Sequence, residues 1–329
     1  MYPRPSLRAT LAVSAVAALT ALGLSACSDP GAASNAANSS SPSASSPSAS
    51  SSSGSDATTT WGLKQVDAVA SLVPADFKGK AIQNGVYNDF APQDFEENGK
   101  LVGIQPDIVE ALSEVMGVKV DNVSVGTFDS LIPGLSSGRY DISSADFGVT
   151  KARIGTVDFV SEFAVGTSFA AKNGSGITID SATDLCGHTV GVLAGSYFID
   201  QVNQASADCA KAGKPAVTLQ TYPDDGARLL AVTNGRSELT ATTTDAMAYA
   251  IKSQNLPLTL QKFVYQPLEL GIALKKGSTL GPAMQAAMKE IINDGTYAKI
   301  LAKWGVSDIA YPSADKVTLY KDAAQLPSS

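Results

Sequence analysis

The stretch from Asp141 to Phe163, DISSADFGVTKARIGTVDFVSEF, carries residue types whose spacing suits anion capture. A run ending in small residues meets Thr150. Arg153 follows three positions later, ahead of the alternating TVDFV. Small residues before a capping threonine predict a strand feeding a short helical turn, with Thr150 at the N-cap and Arg153 in the first turn. A cation beside the free N–H groups of a helix start is badly placed unless an anion joins them. The expected chemistry is therefore binding of a carboxylate, to which a guanidinium offers two donors in one plane. Pairing of Arg153 with Asp158 or Glu162 of its own element is the structural alternative.

The elements that must hold this stretch follow a β-α-β rhythm. A short helix is expected within 61–74, then a first strand over 80–86, with Tyr87, Phe90 and Phe95 clustered around Pro92. The segment 106–117 is the clearest helix: proline and aspartate open it, positions 108, 109, 112, 115 and 116 are apolar, and Gly117 ends it. Strands over 118–125 and 140–145 flank a helix over 128–136, which predicts an α/β lobe with parallel strands. A second set of such units runs from Asp184, with a glycine turn at Gly195-Ser196 and a helix from Asp245 to Lys252. Strong helices over 280–293 and 297–304 close the pattern, and the tail beyond Asp308 has none. Two successive α/β sets joined by apolar segments imply two lobes with a cleft between them.

The N-terminus reads as an export signal. Arg4 and Arg8 precede an apolar run from Ala9 to Leu24, too short and too rich in small residues for a membrane span. Leu24-Ser25-Ala26-Cys27 resembles the lipobox of bacterial lipoproteins, which implies cleavage before Cys27 and acyl chains on its thiol as the membrane anchor. From Ser28 to about Thr60 the chain is almost entirely Ser, Ala, Asn, Pro, Gly and Thr, a composition that cannot bury enough side chain to order itself and is expected to act as a tether. Removal of Arg4 and Arg8 from 24 basic residues, set against 31 acidic ones, leaves a mature net charge near −9. That excludes non-specific nucleic-acid binding. With Cys27 lipidated, Cys186 and Cys209 remain, and in an exported protein they are expected to form a disulfide worth roughly 3.5 kcal/mol in a chain-entropy picture. A metal site in their place lacks ligands, since His188 is the sole histidine. No metal and no cofactor is expected.

From about Lys80 to Val306 the chain resembles the polar amino-acid-binding proteins of bacterial ABC importers, the family-3 extracellular solute-binding proteins. The matching segments are NGKLVGIQPDIVEALSEVMG, TFDSLIPGLSSGRYDIS, VTKARIGTVDFVSEF, DLCGHTVGVLAGS and NDGTYAKILAKWG, in family order and at about family spacing. The resemblance implies a two-lobed type II periplasmic-binding-protein fold, each lobe an α/β sheet flanked by helices. Signal peptide 1–26 and tether 27–60 would precede lobe 1 (61–166 plus 271–308), lobe 2 (167–270) and a C-terminal extension (309–329). It also implies that Arg153 holds a ligand's α-carboxylate and Asp245 its α-ammonium. Gly195, Ser196 and Tyr197 would donate to the carboxylate from the facing turn, Thr150 would cap the Arg153 turn, and Phe128 with Tyr87 or Phe90 would wall the pocket. Left to the residues alone, Asp245 could simply cap its helix, and the aromatics could be core.

Two departures from the family pattern bear on the ligand. Where the family places small or hydroxyl residues seven and five positions before the arginine, this chain has Asp146 and Gly148. A carboxylate there suits a cationic or amine-rich solute, unless Asp146 turns away to cap the Thr150 turn. Gln93 stands where an aromatic residue usually follows the proline. The expectation is a non-catalytic binding lipoprotein, monomeric, on the extracytoplasmic face of the membrane. It would capture a polar amino acid or amine-bearing acid, cationic ones included, for an ABC permease. The alternatives are a ligand-sensing module without a transport role, or a dehydratase-like enzyme on the same fold that uses Asp146 as its buried acid.

Overall fold

A computed structural model describes residues 60–265 and 267–326; Cys27, the signal segment and nearly all of the tether lie outside the described residues. After a one-turn helix α1 (Asp67–Ala70), strand β1 (Ile82–Tyr87) leads into a small antiparallel sheet of β2 (Asp89–Phe90), β3 (Asp94–Glu97) and β4 (Lys100–Val102). Helix α2 (Ile104–Met116) buries Ile104, Ile108, Leu112 and Val115 and ends at Gly117 in the left-handed region, where glycine carries no Cβ penalty. It starts two residues before Pro106, so the proline sits inside the first turn, where no N–H is needed. Strand β5 (Val120–Val125) follows. A 3-10 turn (Phe128–Ser130) then leads into helix α3 (Leu131–Ser137), where the sequence suggests one continuous helix. Strand β6 (Ile142–Gly148), helix α4 (Lys151–Ile154) and strand β7 (Val157–Val165) complete this half of the chain. Strand β6 runs three residues beyond its expected end, which carries Asp146 and Gly148 to the rim of the sheet.

The other half contains β8 (Thr167–Lys172), β9 (Thr189–Leu193), α5 (Phe198–Lys211), β10 (Thr218–Tyr222), α6 (Asp225–Thr233), β11 (Leu239–Thr243), α7 (Thr244–Ser253) and β12 (Leu258–Val264). The chain then returns through β13 (Leu268–Lys275), α8 (Gly281–Asn293), α9 (Thr296–Trp304) and β14 (Leu319–Tyr320). The strands form a six-stranded sheet in the order β14-β7-β13-β6-β1-β5 and a five-stranded sheet in the order β10-β9-β11-β8-β12. Both are mixed, not all-parallel. Strands β5, β1 and β6 run parallel, whereas β13 lies antiparallel between β6 and β7 because it enters from the other lobe without a helical crossover. The patternless tail adds β14 to the outer edge, with Leu319 opposite Val160 and Tyr320 opposite Phe159.

The chain crosses between the sheets at Gly166 and again after Val264. A Cβ on Gly166 would lie 2.4 Å from the Val264 side chain and 2.9 Å from the Tyr265 carbonyl, so glycine lets the two crossings run side by side. Helix α9 is tied to α2 by Asp107, which accepts from Lys303 Nζ and Trp304 Nε1, each at 2.7 Å. In the second lobe, Cys186 and Cys209 form a disulfide with a Cα–Cα distance of 5.6 Å, fastening α5 to the segment before β9.

Candidate ligand-binding cleft

Arg153 occupies the position its sequence context suggests. The Thr150 hydroxyl caps α4 by accepting from the Arg153 N–H at 3.4 Å. The guanidinium turns back over the strand end. Nη1 donates to the Gly148 carbonyl at 3.1 Å, and Nη2 reaches across the cleft to the Gly195 carbonyl at 2.7 Å. The rings of Phe128 and Phe147 lie against it, with centroids 5.8 and 5.4 Å away. Desolvation lowers its pKa to about 10, opposed by Tyr197, Asp200 and Asp146, so it stays cationic at neutral pH. The intra-element pairing does not form: Asp158 bonds Lys276 Nζ at 2.9 Å and Glu162 accepts from Gln105 Nε2 at 3.2 Å.

The facing turn joins β9 to α5. Gly195 has φ +73°, and a Cβ there would come within 2.7 Å of the Asp129 side chain, so this turn approaches the first lobe as closely as only glycine permits. Ser196 N–H and Oγ both donate to the Leu193 carbonyl, at 3.2 and 2.6 Å, which fixes the turn instead of leaving the hydroxyl free. Tyr197 is buried against the Gly148 backbone. A Cβ at position 148 would lie 2.5 Å from Tyr197 Cδ1. The missing hydroxyl at 148 thus has a steric reason: glycine makes room for the tyrosine ring.

Asp245 lies in the first turn of α7, buried, with Oδ2 accepting from Gln93 Nε2 at 2.6 Å. Burial raises its pKa, while Thr243, Gln93 and helix-start amides oppose the shift. Gln93 belongs to the first lobe, so this bond spans the cleft. Its backbone is pinned by Gly103, whose φ of +137° and contact with the Gln93 carbonyl exclude any side chain there. Asp146 stands at φ +57° and is 4% exposed, and neither carboxylate oxygen has a hydrogen-bond partner. It does not cap the Thr150 turn. Burial, then Asp245 and Glu162, push its pKa well above the ordinary carboxylate range, and Arg153 only partly opposes them.

Two further buried acids join it. Asp94 accepts from the Tyr87 N–H at 3.0 Å, and burial together with Asp146 raises its pKa. Glu162, on β7, is pushed up to about 8 by burial, with its bond from Gln105 opposing. Asp94, Glu162 and Gln93 are site residues that the sequence pattern does not assign to the cleft. Gln93 carried a signal as an amide in place of an aromatic, whereas nothing local marks the other two.

The aromatics divide. Phe90 and Phe128 border a cavity of about 10 Å³ together with Asp146, Ser196, Tyr197 and Thr242. Tyr87 does not face it: its hydroxyl accepts from the Asp225 N–H at 3.2 Å, beside Asp89, at the start of α6. Phe95 packs against Tyr249 and Trp304. A larger groove of about 480 Å³ lies on the other side of Asp245, between α7 and the residues after α9. Its lining includes neither Arg153 nor Asp146, so chemistry and not size identifies the site. Among the described residues no group of three or more His, Cys, Asp or Glu is placed to hold a metal ion.

Known proteins are similar to this chain in sequence and fold. The chain is 26% identical to the arginine-binding protein ArgT of Corynebacterium glutamicum over 74% of its length and 80% of the relative's. It is 25% identical to the L-cystine-binding protein TcyJ of Escherichia coli over 75% of its length and 95% of the relative's. An ancestral arginine-binding protein bound to arginine superposes with a TM-score of 0.62 at 31% identity, covering 68% of this chain and 98% of that one. Residues 82–307 match the profile of the bacterial extracellular solute-binding proteins, family 3, and the chain belongs to that family.

Proposed function

We propose that the protein captures an α-amino acid between its lobes, Arg153 taking the carboxylate and Asp245 the ammonium, and passes it to an ABC permease. The observation that carries this reading is the pair of bonds across the cleft, Arg153 Nη2 to Gly195 O and Gln93 Nε2 to Asp245 Oδ2. Each engages one of the two charged groups that a zwitterion would take over, and each joins one lobe to the other. A cavity of about 10 Å³ holds at most a single water. Entry of an amino acid therefore requires the lobes to part at the crossings beside Gly166. A ligand that touches both Arg153 and Asp245 favours reclosure through contacts that only the closed form offers. The arginine and cystine named for the relatives are both α-amino acids, which agrees with this use of the two charges. Lipidation at Cys27 would hold the protein on the extracytoplasmic face of the membrane as a monomer, the lobes clear of the surface on their tether.

Isothermal titration of the mature protein across the amino acids tests the reading. Arg153→Ala should weaken the best ligand on the order of 100-fold, as loss of a charged hydrogen-bond pair implies. Full affinity in that variant would sink the carboxylate assignment.

A further inference from the structure

We infer that the cleft is built for an amino acid whose side chain carries a second positive charge, and that Asp146 is the residue that selects it. The inference rests on the Arg153–Asp245 reading and extends it by a charge count. An α-amino acid brings one negative and one positive group, and Arg153 with Asp245 answers both. Asp146 is then left over. Its carboxylate is 4% exposed, borders the same small cavity as Phe90 and Phe128, and has no hydrogen-bond partner on either oxygen. A desolvated carboxylate in that state must hold a proton or face a cation.

The neighbours of Asp146 do not supply the cation. The charged and titratable groups facing it are Asp245 from α7, Glu162 from β7, Asp94 from β3, Tyr197 from the turn before α5, and Arg153 from α4. With Asp146 itself, four carboxyls stand against one guanidinium, and that guanidinium is committed to two carbonyls now and to the ligand's carboxylate later. An acidic side chain would be repelled by this group. A cationic one would meet Asp146 with the rings of Phe90 and Phe128 beside it, surfaces that also favour a cation. The backbone agrees with the same use: Asp146 sits at φ +57°, an uncommon conformation away from glycine, at a residue that borders the cavity with an unpartnered carboxylate. In the ligand-free cleft a carboxyl so desolvated and unpartnered holds its proton. Arrival of a cationic side chain displaces that proton, which leaves to solvent.

The test uses arginine and citrulline, which match in shape and differ in side-chain charge. Calorimetry on the mature wild-type protein should show arginine preferred on the order of 100-fold, the range of one charged hydrogen-bonded contact. Arginine, but not citrulline, should release a proton, read as a binding enthalpy that varies with the ionisation enthalpy of the buffer. Asp146→Asn keeps the shape, and asparagine tolerates positive φ. It should bring the two ligands to within about threefold of each other, with an unchanged circular dichroism spectrum and a cooperative melting curve as evidence of a folded protein. Equal affinity in the wild type, or an arginine preference that survives in D146N, overturns the inference. If Arg153→Ala abolishes binding while the wild type shows no preference, the capture reading stands and this one alone fails. If Arg153→Ala binds unchanged, both fall together.

Discussion

Among the described residues, two arginines are drawn out of solvent and meet opposite fates. Arg228, 1% exposed in the second lobe, is fully answered: Nε and Nη2 donate to Asp225 Oδ1 at 2.8 and 2.5 Å, and Nη1 donates to Thr240 Oγ1 at 2.5 Å. Arg153 has Asp146 and Asp200 near it, yet donates to two backbone carbonyls, while Asp146 has no hydrogen-bond partner. A buried charge that serves the fold finds its countercharge within the chain. One that serves a ligand is left incomplete, at some cost in stability.

The sharpest way to break this comparison is to remove one carboxylate from each site. Asp225→Ala strands a buried guanidinium and should cost about 3–5 kcal/mol in urea denaturation. Asp146→Asn removes a carboxylate that nothing answers, and stability should stay within about 1 kcal/mol of wild type or rise. Equal losses at the two positions would show that Asp146 is as much a structural partner as Asp225.

A smaller effect tests whether the cleft's shape was set by the exchange of side chains at its rim. Gly148→Ala puts a Cβ 2.5 Å from Tyr197 Cδ1 and 2.9 Å from Leu268 Cδ2, and overpacking of this kind costs about 1–3 kcal/mol. Combined with Tyr197→Ala, the loss should be smaller than the sum of the two single losses, because each change relieves the other. Strict additivity in melting curves would mean that Tyr197 does not depend on the glycine.

Sequence and structure agree where the signal is local. Thr150 and Arg153 are legible because a cap and a cation three residues apart have a mechanical meaning within one turn. Helix α2 is legible from its apolar period and its terminal glycine. The antiparallel entry of β13 is not, since pairing between segments a hundred residues apart leaves no trace in either. Strand β14 has only two residues, too few to show a period. The buried acids fail for a related reason. Strand β7 is covered on both faces, so Glu162 sits in a run without the alternation that would mark it as inward. Asp94 is turned inward by the small sheet, whose strands of two to four residues are again too short to read. Asp245 is legible only through the family resemblance, because an aspartate in a first helical turn is also an ordinary cap.

Glu162 gives the finest test of the contrast, since it titrates in an accessible range. Its carboxyl is ordinarily near 4.5 and is pushed up to about 8 in the folded protein by burial. The folded state thus binds this proton more tightly than the unfolded chain. Stability from this group is complete below about pH 4.5, declines as pH rises toward 8, and is lost above that. Glu162→Gln cannot titrate and keeps an amide beside Gln105. Its melting temperature should fall less steeply over that window, with the remaining slope owed to the other raised carboxyls, Asp94, Asp146 and Asp245 among them. The Arg228 site supplies the control. Asp225 is also raised by burial, but Arg228 opposes the shift through both charge and hydrogen bonding, so Asp225→Asn should flatten the curve less than Glu162→Gln does. Parallel melting curves for wild type and Glu162→Gln would place the uncompensated acid elsewhere and remove Glu162 from the group behind Asp146.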